Sequence, residues 1–390
     1  MPARRRARLA LFAALPLLAL TACGENDGGG SAPTQARDPG ADAARQLRDS
    51  IEQATFTPPA ETPSAGDAST SGDGSGASTG GNGESGGASG SSAAGGAGGV
   101  VSGALPADAK PEPAMVRAQI LLDRTRFSPG IVDGLGGENT RQAIAAFEEA
   151  NDLTADGELD AEVFRRLASG DGGRVLTDYT ITEADAAGPF IGPVPEDIAA
   201  MGELDTVGYA DAREALAEKF HMSEALLDAL NPGADFGRAG QTIVVASTGP
   251  TELAGEVSRI VINKEESAVR AFDADGKLLA FYPATIGSGE TPSPTGSHTV
   301  RAIAPRPNYT YDPSRVSYGD GGETVVVPPG PNNPVGSVWI DLSRDTYGIH
   351  GTPDPAEIGK TASSGCVRLT NWDVEQLASA VKAGVEVRFT

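Results

Sequence analysis

The sequence predicts a protein of several domains: a mainly β domain at the C-terminal end, preceded by a three-helix domain and a small α+β module. Three observations lead to this prediction. The chain has 390 residues, too many for one ordinary domain and enough for two or three. Between about residues 112 and 248, apolar side chains recur at helical spacing. From about residue 256, short β-branched stretches alternate with turns rich in Gly and Pro, which is typical of β-strands.

The chain is strongly acidic. It has 30 Lys and Arg against 53 Asp and Glu, which gives a formal net charge of −23. A chain with this charge is a poor candidate for binding nucleic acid through its phosphates, so we expect no nucleic-acid partner. Three His and two Cys are too few for a Cys-rich zinc module or a disulfide framework. We therefore expect no metal and no other cofactor.

The first 22 residues have the pattern of an export signal. A basic stretch precedes apolar residues 9–20, which are too few to cross a bilayer comfortably. Leu-Thr-Ala-Cys at residues 20–23 resembles a bacterial lipobox, in which the Cys is lipidated and becomes the mature N-terminus. We predict a lipoprotein signal peptide at 1–22, a lipid on Cys23 and an exported protein anchored at the periplasmic face of a membrane. The alternative is a plain secretory signal cleaved nearby.

Lipidation of Cys23 would leave Cys366 without a partner in its own chain. A lone thiol in an exported, disulfide-permissive compartment is a candidate reactive group. The position of Cys366 in the sequence is equally compatible with a second role, that of a small buried apolar residue.

Residues 23–111 are predicted to be a disordered tether. They are rich in Gly, Ser and Ala, and no aromatic residue occurs between Phe56 and Phe127. Such a segment buries too little apolar surface to offset the entropy lost on ordering. As a flexible coil, about 87 residues would reach roughly 50 Å. Residues 41–54 could form a short helix, but an isolated helix of this length is marginal.

Residues 112–169 predict three short helices separated by turns. The first ends at the Phe-Ser-Pro-Gly sequence 127–130, and Asp160 is positioned to cap the third. The apolar positions of the helices are Val116, Ile120, Leu121, Ala143, Ile144, Phe147, Val163, Phe164 and Leu167. This order of helices and turns resembles the peptidoglycan-binding type 1 domain, which implies peptidoglycan as a partner. A packing domain without a ligand is the alternative.

Residues 170–205 are assigned to a connector, and residues 206–248 to a second small module. A short strand is expected at 207–209, two helices at 212–220 and after Ser223, and a β-branched strand at 241–246. This order resembles LysM, a module that binds sugar polymers. A structural role beside the next domain competes with glycan binding. His221, between the helices, is expected to be a packing or surface residue.

Residues 256–390 predict the mainly β domain. One helix is clear at 372–383, with Thr370 and Asp373 in the pattern of a capping box. The strand candidates are 260–263, 268–272, 277–282, 298–303, 325–327, 338–342 and 385–389.

One His and one Cys of this domain each lie beside glycine. Residues 348–352 read Gly-Ile-His-Gly-Thr, and residues 363–368 read Ser-Ser-Gly-Cys-Val-Arg. A thiolate attacks carbonyls well, but a free thiol is mostly protonated at neutral pH. An imidazole within reach can take that proton and return it to a leaving amine. Glycine lets backbone N–H groups approach the substrate oxygen and stabilise an oxyanion. The pattern predicts Cys–His nucleophilic catalysis.

Together these residues resemble the L,D-transpeptidase (YkuD) catalytic domain. The family pattern is His-Gly, a loop of about fifteen residues, then Ser-His-Gly-Cys-(Ile/Val)-Arg. This chain departs from it at Ser364, where the family most often has His. Residues 291–296, Thr-Pro-Ser-Pro-Thr-Gly, are similar to the TPTG turn of the family. The resemblance covers the whole last third of the chain.

The resemblance implies a role for each matching residue. Cys366 would be the nucleophile and His350 the general base, with the backbone carbonyl of Gly351 orienting the imidazole. Backbone N–H groups around Ser364 and Gly365 would form the oxyanion hole.

Four further residues are predicted to contact the substrate. Arg368 would bind a stem-peptide carboxylate in bidentate fashion, and a structural ion pair under the turn is an equal alternative. Tyr347 and Trp339 would line the cleft. Ser363 is expected to hydrogen-bond within the nucleophile turn and is grouped with the substrate contacts.

Two functions from different classes follow. The first is acyl transfer. The family implies a tetrapeptide stem as substrate, with a diamino acid as its third residue and D-Ala as its fourth. Cys366 would form a thioester with the third residue, and a second stem would resolve it to give a 3→3 crosslink. Water or a protein amine as acceptor would instead give a carboxypeptidase or protein attachment to the wall. The second is a non-catalytic lipoprotein tether that bridges membrane and peptidoglycan.

Overall fold

The computed structural model describes residues 39–55, 110–170, 173–287, 292–314, 323–361, 363 and 365–390. The predicted signal peptide, Cys23, Ser364 and most of the predicted tether lie outside these residues. Within the described ranges, every helix is too short or too polar to cross a membrane.

Helix α1 (Pro39–Gln53) lies inside the segment predicted to be disordered, and that prediction is wrong for these residues. The helix is not isolated, because Ile51 is fully buried in the core of the two modules that follow. The Glu52 carboxylate accepts hydrogen bonds from the backbone N–H groups of Val175 (3.2 Å) and Leu176 (2.9 Å). Tertiary packing thus stabilises a helix that would be marginal alone.

The first module has the three predicted helices, α2 (Pro113–Arg124), α3 (Glu138–Ala150) and α4 (Ala161–Gly170). All nine predicted apolar positions are buried. Asp160 caps α4, because its carboxylate accepts the N–H of Val163 at 2.8 Å. Side-chain burial at helical spacing therefore explains this module.

The second module contains β1, α5–α8 and β2. Their bounds are β1 (Leu176–Thr180), α5 (Glu183–Ala187), α6 (Ile198–Gly202), α7 (Ala212–Lys219), α8 (Glu224–Leu230) and β2 (Thr242–Ala246). β1 and β2 pair antiparallel, with Leu176 opposite Ala246. The first strand of the module thus lies in the predicted connector, and the strand expected at 207–209 is wrong. Val207 instead bonds to a loop of the β domain, donating to Pro329 O and accepting from Asn332 N.

The C-terminal domain is built on one mixed sheet of eight strands. Its elements are β3 (Arg259–Asn263), β4 (Ala268–Phe272), β5 (Leu278–Pro283), β6 (Gly296–Pro305), β7 (Tyr309–Tyr311), β8 (Val325–Val327), β9 (Val338–Leu342), β10 (Gly348–His350), β11 (Val367–Arg368), α9 (Asn371–Ala380) and β12 (Glu386–Phe389). The sheet order is β11-β10-β9-β6-β12-β3-β4-β5. β10–β11 and β12–β3 are parallel, and the other neighbours are antiparallel. Buried Val374 and Leu377 of α9 belong to the apolar core of this domain.

Backbone hydrogen bonds join the three parts. The first module extends the β5 edge of the sheet, because Ser128 N donates to Phe281 O (2.9 Å) and Phe281 N donates to Arg126 O (3.0 Å). It also pairs with the second module, where Val132 N donates to His221 O at 2.8 Å. The β domain is therefore held by main-chain contacts as well as side-chain packing.

Candidate active site

The pairing of β10 with β11 brings the predicted nucleophile and base to one face of the sheet. The two short strands run parallel, with Ile349 beside Val367 and His350 beside Arg368. Side chains alternate along a strand, so Ile349 and Val367 enter the core while His350, Arg368 and the preceding Cys366 take the other face. Adjacent strands therefore present the imidazole and the thiol to the same surface.

The imidazole of His350 is buried and held in one tautomer. Its Nδ1 lies 2.7 Å from the backbone oxygen of Gly351. A carbonyl only accepts, so Nδ1 carries the proton and Nε2 carries the lone pair. The indole of Trp339, directly across on β9, stacks on the ring with centroids 5.4 Å apart. Burial lowers the pKa of His350 to about 4, the charge of Arg368 acts in the same direction, and the Gly351 bond opposes them. The ring is therefore neutral at pH 7.

The thiol of Cys366 is half-buried and bonds to the backbone. Its Sγ donates to the oxygen of Thr346 at 3.6 Å. Burial raises the pKa of the thiol, while the Gly348 N–H and the charge of Arg368 lower it. The group is thus a thiol, not a thiolate, at neutral pH. Proton transfer to His350 requires Sγ to leave the carbonyl of Thr346.

The turn before Cys366 is fixed by two serines. Buried Ser363 accepts the N–H of Gly365 (3.1 Å) and donates to the oxygen of Cys366. Ser293 donates to the oxygen of Gly365 at 2.7 Å. Gly365 has φ +110°, and a Cβ there would lie 2.9 Å from the ring of Tyr347. Glycine is needed at this position for both reasons.

This geometry changes the roles expected for two residues of the turn. The Gly365 N–H is already used by Ser363, so it is not free for an oxyanion. The Cys366 N–H has no hydrogen-bond acceptor in the part of the chain that the structure describes. Ser363 lies beneath the turn, where its hydroxyl bonds to the backbone instead of facing a substrate. Ser364, the other predicted donor, is outside the described residues.

The remaining predicted contacts surround the pair. Trp339 covers His350 and also lies against Gly348, where a Cβ would approach its ring to 2.5 Å. Tyr347 stands over Gly365 with the guanidinium of Arg344 5.0 Å from its ring centre. These two aromatic rings line the face that carries the thiol and the imidazole.

Arg368 is half-buried and in register with His350. Its charge lowers the pKa of both His350 and Cys366, so the guanidinium lies close to both. It forms no ion pair with any carboxylate of the described ranges. The alternative of a structural ion pair under the turn therefore lacks a partner there.

Sequence reasoning missed two residues of this site. Thr346, whose backbone oxygen accepts the hydrogen bond of the Cys366 thiol, has φ +71°. This conformation is strained for a β-branched residue, and no sequence pattern reveals it. Asn371 is buried beside Gly351 at the start of α9. Its position directly after the Cys motif was the available signal. Clusters of three or more His, Cys, Asp or Glu suited to a metal are absent from the described residues.

Comparisons with known proteins bear on this site. A family model described as "L,D-transpeptidase catalytic domain" matches residues 258–388. The YkuD protein of Bacillus licheniformis, named as an L,D-transpeptidase, is 31% identical over 179 residues, which cover 45% of this chain and 92% of that protein. The chain belongs to the L,D-transpeptidase family. It is a transpeptidase, and the predicted family and fold class are confirmed.

Other relatives of this L,D-transpeptidase match over similar ranges. ErfK/SrfK of Escherichia coli K12, also named as an L,D-transpeptidase, is 30% identical over 205 residues, covering 50% of this chain and 65% of that protein. An L,D-transpeptidase structure from Mycobacterium smegmatis is 19% identical, with a TM-score of 0.29, and covers 39% of this chain and 63% of that one. A second family model, "Putative peptidoglycan binding domain", matches residues 111–167 and confirms the resemblance of the first module.

Proposed function

We propose that this L,D-transpeptidase acts on peptidoglycan stems through a thioester on Cys366, with His350 as general base. The observation that carries the proposal is the Nδ1 bond of His350 to Gly351, on the face shared with Cys366. This bond leaves the Nε2 lone pair available to take a proton from a thiol.

Both reacting groups are neutral at rest, so the proton leaves the thiol as the attack proceeds. The Sγ–carbon bond forms at the carbonyl of the third stem residue while the proton passes to Nε2. The Cys366 N–H, which has no acceptor among the described residues, would bond the resulting oxyanion. Collapse breaks the bond to D-Ala, whose amine takes the proton from His350 and leaves. The product is a thioester.

The second half-reaction returns the proton. The side-chain amine of another stem attacks the thioester and gives a proton to Nε2, and His350 passes it to the departing thiolate. The new amide joins two third residues, a 3→3 crosslink. Water in place of the amine gives a shortened stem, and a protein amine gives protein attachment.

Arg368 supplies the charge that a stem-peptide carboxylate requires. A guanidinium without a carboxylate partner among the described residues, beside both reacting groups, fits such a contact. Trp339 and Tyr347 supply flat walls for the stem.

The location follows from the sequence pattern of residues 1–23. We propose an exported protein with a lipid on Cys23 at the periplasmic face of a membrane. The module at 111–167 would hold it to peptidoglycan, and the LysM-like module (residues 206–248) would assist. This arrangement keeps the enzyme beside its substrate.

The test uses the purified protein and a tetrapeptide stem with a diamino acid third and D-Ala fourth. Intact mass should show an acyl adduct that is absent from Cys366→Ala, and chromatography should show released D-Ala and stem dimers. His350→Ala should abolish both, whereas the matched control His298→Ala should retain them, because the His298 ring contacts Thr295 O and Phe389 and takes no part in the proposed proton transfer. A folded wild-type protein that forms no adduct and releases no D-Ala would favour the tether. D-Ala release without dimers would assign water as the acceptor.

A further inference from the structure

A chain of contacts runs from the LysM-like module to the peptide that orients His350. Part-buried hydrogen bonds join Tyr209 to Glu218 and Glu218 to Asn371, and the Asn371 side chain packs directly against Gly351. The steps of the proposed reaction do not use the first three of these residues. They lie outside the matched Cys–His motif, and two of them belong to a different module.

Asn371 fills the space beside Gly351. It is 1% exposed, and its Oδ1 accepts the N–H of Ser337 at 2.9 Å. A Cβ built on Gly351 would lie only 2.1 Å from this oxygen, and one on Gly336 only 2.2 Å from it. The carboxamide is thus pressed against the residue whose carbonyl accepts Nδ1 of His350. A displacement of Asn371 would displace that carbonyl.

The other end of the Asn371 amide is held by the LysM-like module. Its Nδ2 donates to Glu218 Oε1 at 3.0 Å and to Pro331 O at 3.1 Å. Tyr209 Oη donates to the same Glu218 oxygen at 2.9 Å. A flipped amide would put its NH₂ against the Ser337 N–H and its oxygen against two acceptors, so these partners fix one orientation.

Burial makes the charged form of the Glu218 carboxyl group unfavourable at this position. Burial raises its pKa to about 7, Glu375 and Glu214 raise it further, and the bonds from Asn371 and Tyr209 oppose this. A carboxyl group is tolerated in such a setting where it accepts hydrogen bonds from donors shielded from water, and buried Asn371 and half-buried Tyr209 are those donors. The catalytic domain alone would leave one Asn371 N–H with Pro331 and the other without a partner among the described residues.

We propose that Glu218 and Asn371 are positioning residues for His350: Glu218 holds the Asn371 amide, Asn371 holds Gly351, and the Gly351 carbonyl fixes the imidazole tautomer. The base is then fully oriented only while α7 is docked on the catalytic domain. This inference deepens the proposed function and rests on it for the role of His350. The LysM-like module thereby contributes to catalysis as well as to any binding of its own.

The experiment reads the tautomer of His350 directly, by NMR of the full-length protein labelled with ¹⁵N-histidine. The chain has three His, so assignment by single His substitution is practical. At pH 7 the wild type should show a neutral ring with the proton on Nδ1. Glu218→Ala should populate both tautomers and lower kcat for acylation, by up to about 100-fold, with little change in KM. Glu218→Gln keeps an oxygen acceptor and should restore both properties.

Two further variants make the result specific. Glu224→Ala removes an exposed carboxylate of the same module, paired with Arg213, and should leave the tautomer and kcat unchanged. Tyr209→Phe removes one bond to Glu218 and should produce a smaller effect in the same direction, which serves if Glu218→Ala does not fold. A fixed Nδ1–H tautomer in folded Glu218→Ala and Tyr209→Phe would overturn the inference, whatever their rates. A wild type that forms no acyl adduct would instead refute the proposed function.

Discussion

The rate of acylation should stay constant far into the acid range. The burial of His350 places its pKa at about 4, against 6.5 for an ordinary imidazole. The neutral fraction of the base is then near one at pH 6 and one half at about pH 4. An unperturbed base would already be half-protonated at pH 6.5. The difference of about 2.5 pH units corresponds to roughly 3 kcal/mol against the protonated ring.

The assay is intact-mass measurement of the acyl-enzyme formed with a carbapenem, at a series of pH values from 8 to 3.5. Circular dichroism at each pH confirms that the protein is folded. We expect the rate to fall to half at about pH 4, because only the neutral ring accepts the thiol proton. A half-point near pH 6.5 in folded protein would contradict the buried, desolvated imidazole. The rate should rise again above neutral pH as the Cys366 thiol, whose pKa is raised, begins to ionise.

Three other perturbations follow from the structure. Ile51→Ala should weaken the docking of α1 by about 2–5 kcal/mol, because Ile51 is fully buried. Amide hydrogen exchange should therefore become faster in α1 and stay unchanged in the β sheet. Exchange rates in α1 equal to those of the wild type would refute the packing. Gly365→Ala should lower the acylation rate at least about tenfold, because Gly365 has φ +110° and a Cβ there would collide with the ring of Tyr347. A wild-type acylation rate, measured by intact mass, would show that the turn adapts. Asp373 (pKa raised to about 7 by burial) and His221 (pKa raised by Asp123, against burial) both bind protons more tightly in the folded state. The stabilisation from these protons is lost as the pH rises through about 7 for Asp373 and through the raised pKa of His221. Calorimetry should therefore find a higher Tm at pH 6 than at pH 8.5, with a smaller difference in Asp373→Asn.

The parts predicted well from sequence are those where one periodicity decides the structure. The nine apolar positions of the first module are buried because three helices must turn one face to a shared core. The strands around Ile260, Val269 and Ile340 were predicted because their apolar residues fill the core beneath α9. In these segments the local pattern and the tertiary environment agree.

The strands that build the site were not predicted. β10 has three residues and β11 has two, and the glycines and predicted catalytic residues of the motif lie in or directly beside them. Such strands form because β9 and Thr285 offer hydrogen-bond partners, which is tertiary information. The same holds for β1. Its polar residues Thr177 and Asp178 give no strand pattern in the sequence, and the strand is defined by its pairing with β2. The motif predicts which residues form the site, but the strand register that places them on one face depends on distant parts of the chain.

The neutral resting pair fits the location proposed for this enzyme. Oxidation of cysteine proceeds through the thiolate, so a thiol whose pKa is raised by burial is oxidised slowly at neutral pH. Cys366 is the one cysteine among the residues that the structure describes, and the proposed lipid on Cys23 would leave it without a disulfide partner in its own chain. A thiolate–imidazolium pair would react faster with peptides and also with oxidants. In the proposed mechanism, burial of His350 and Cys366 therefore favours a nucleophile that becomes charged only while it attacks, when a bound stem would supply the carbonyl and the Cys366 N–H would bond the oxyanion.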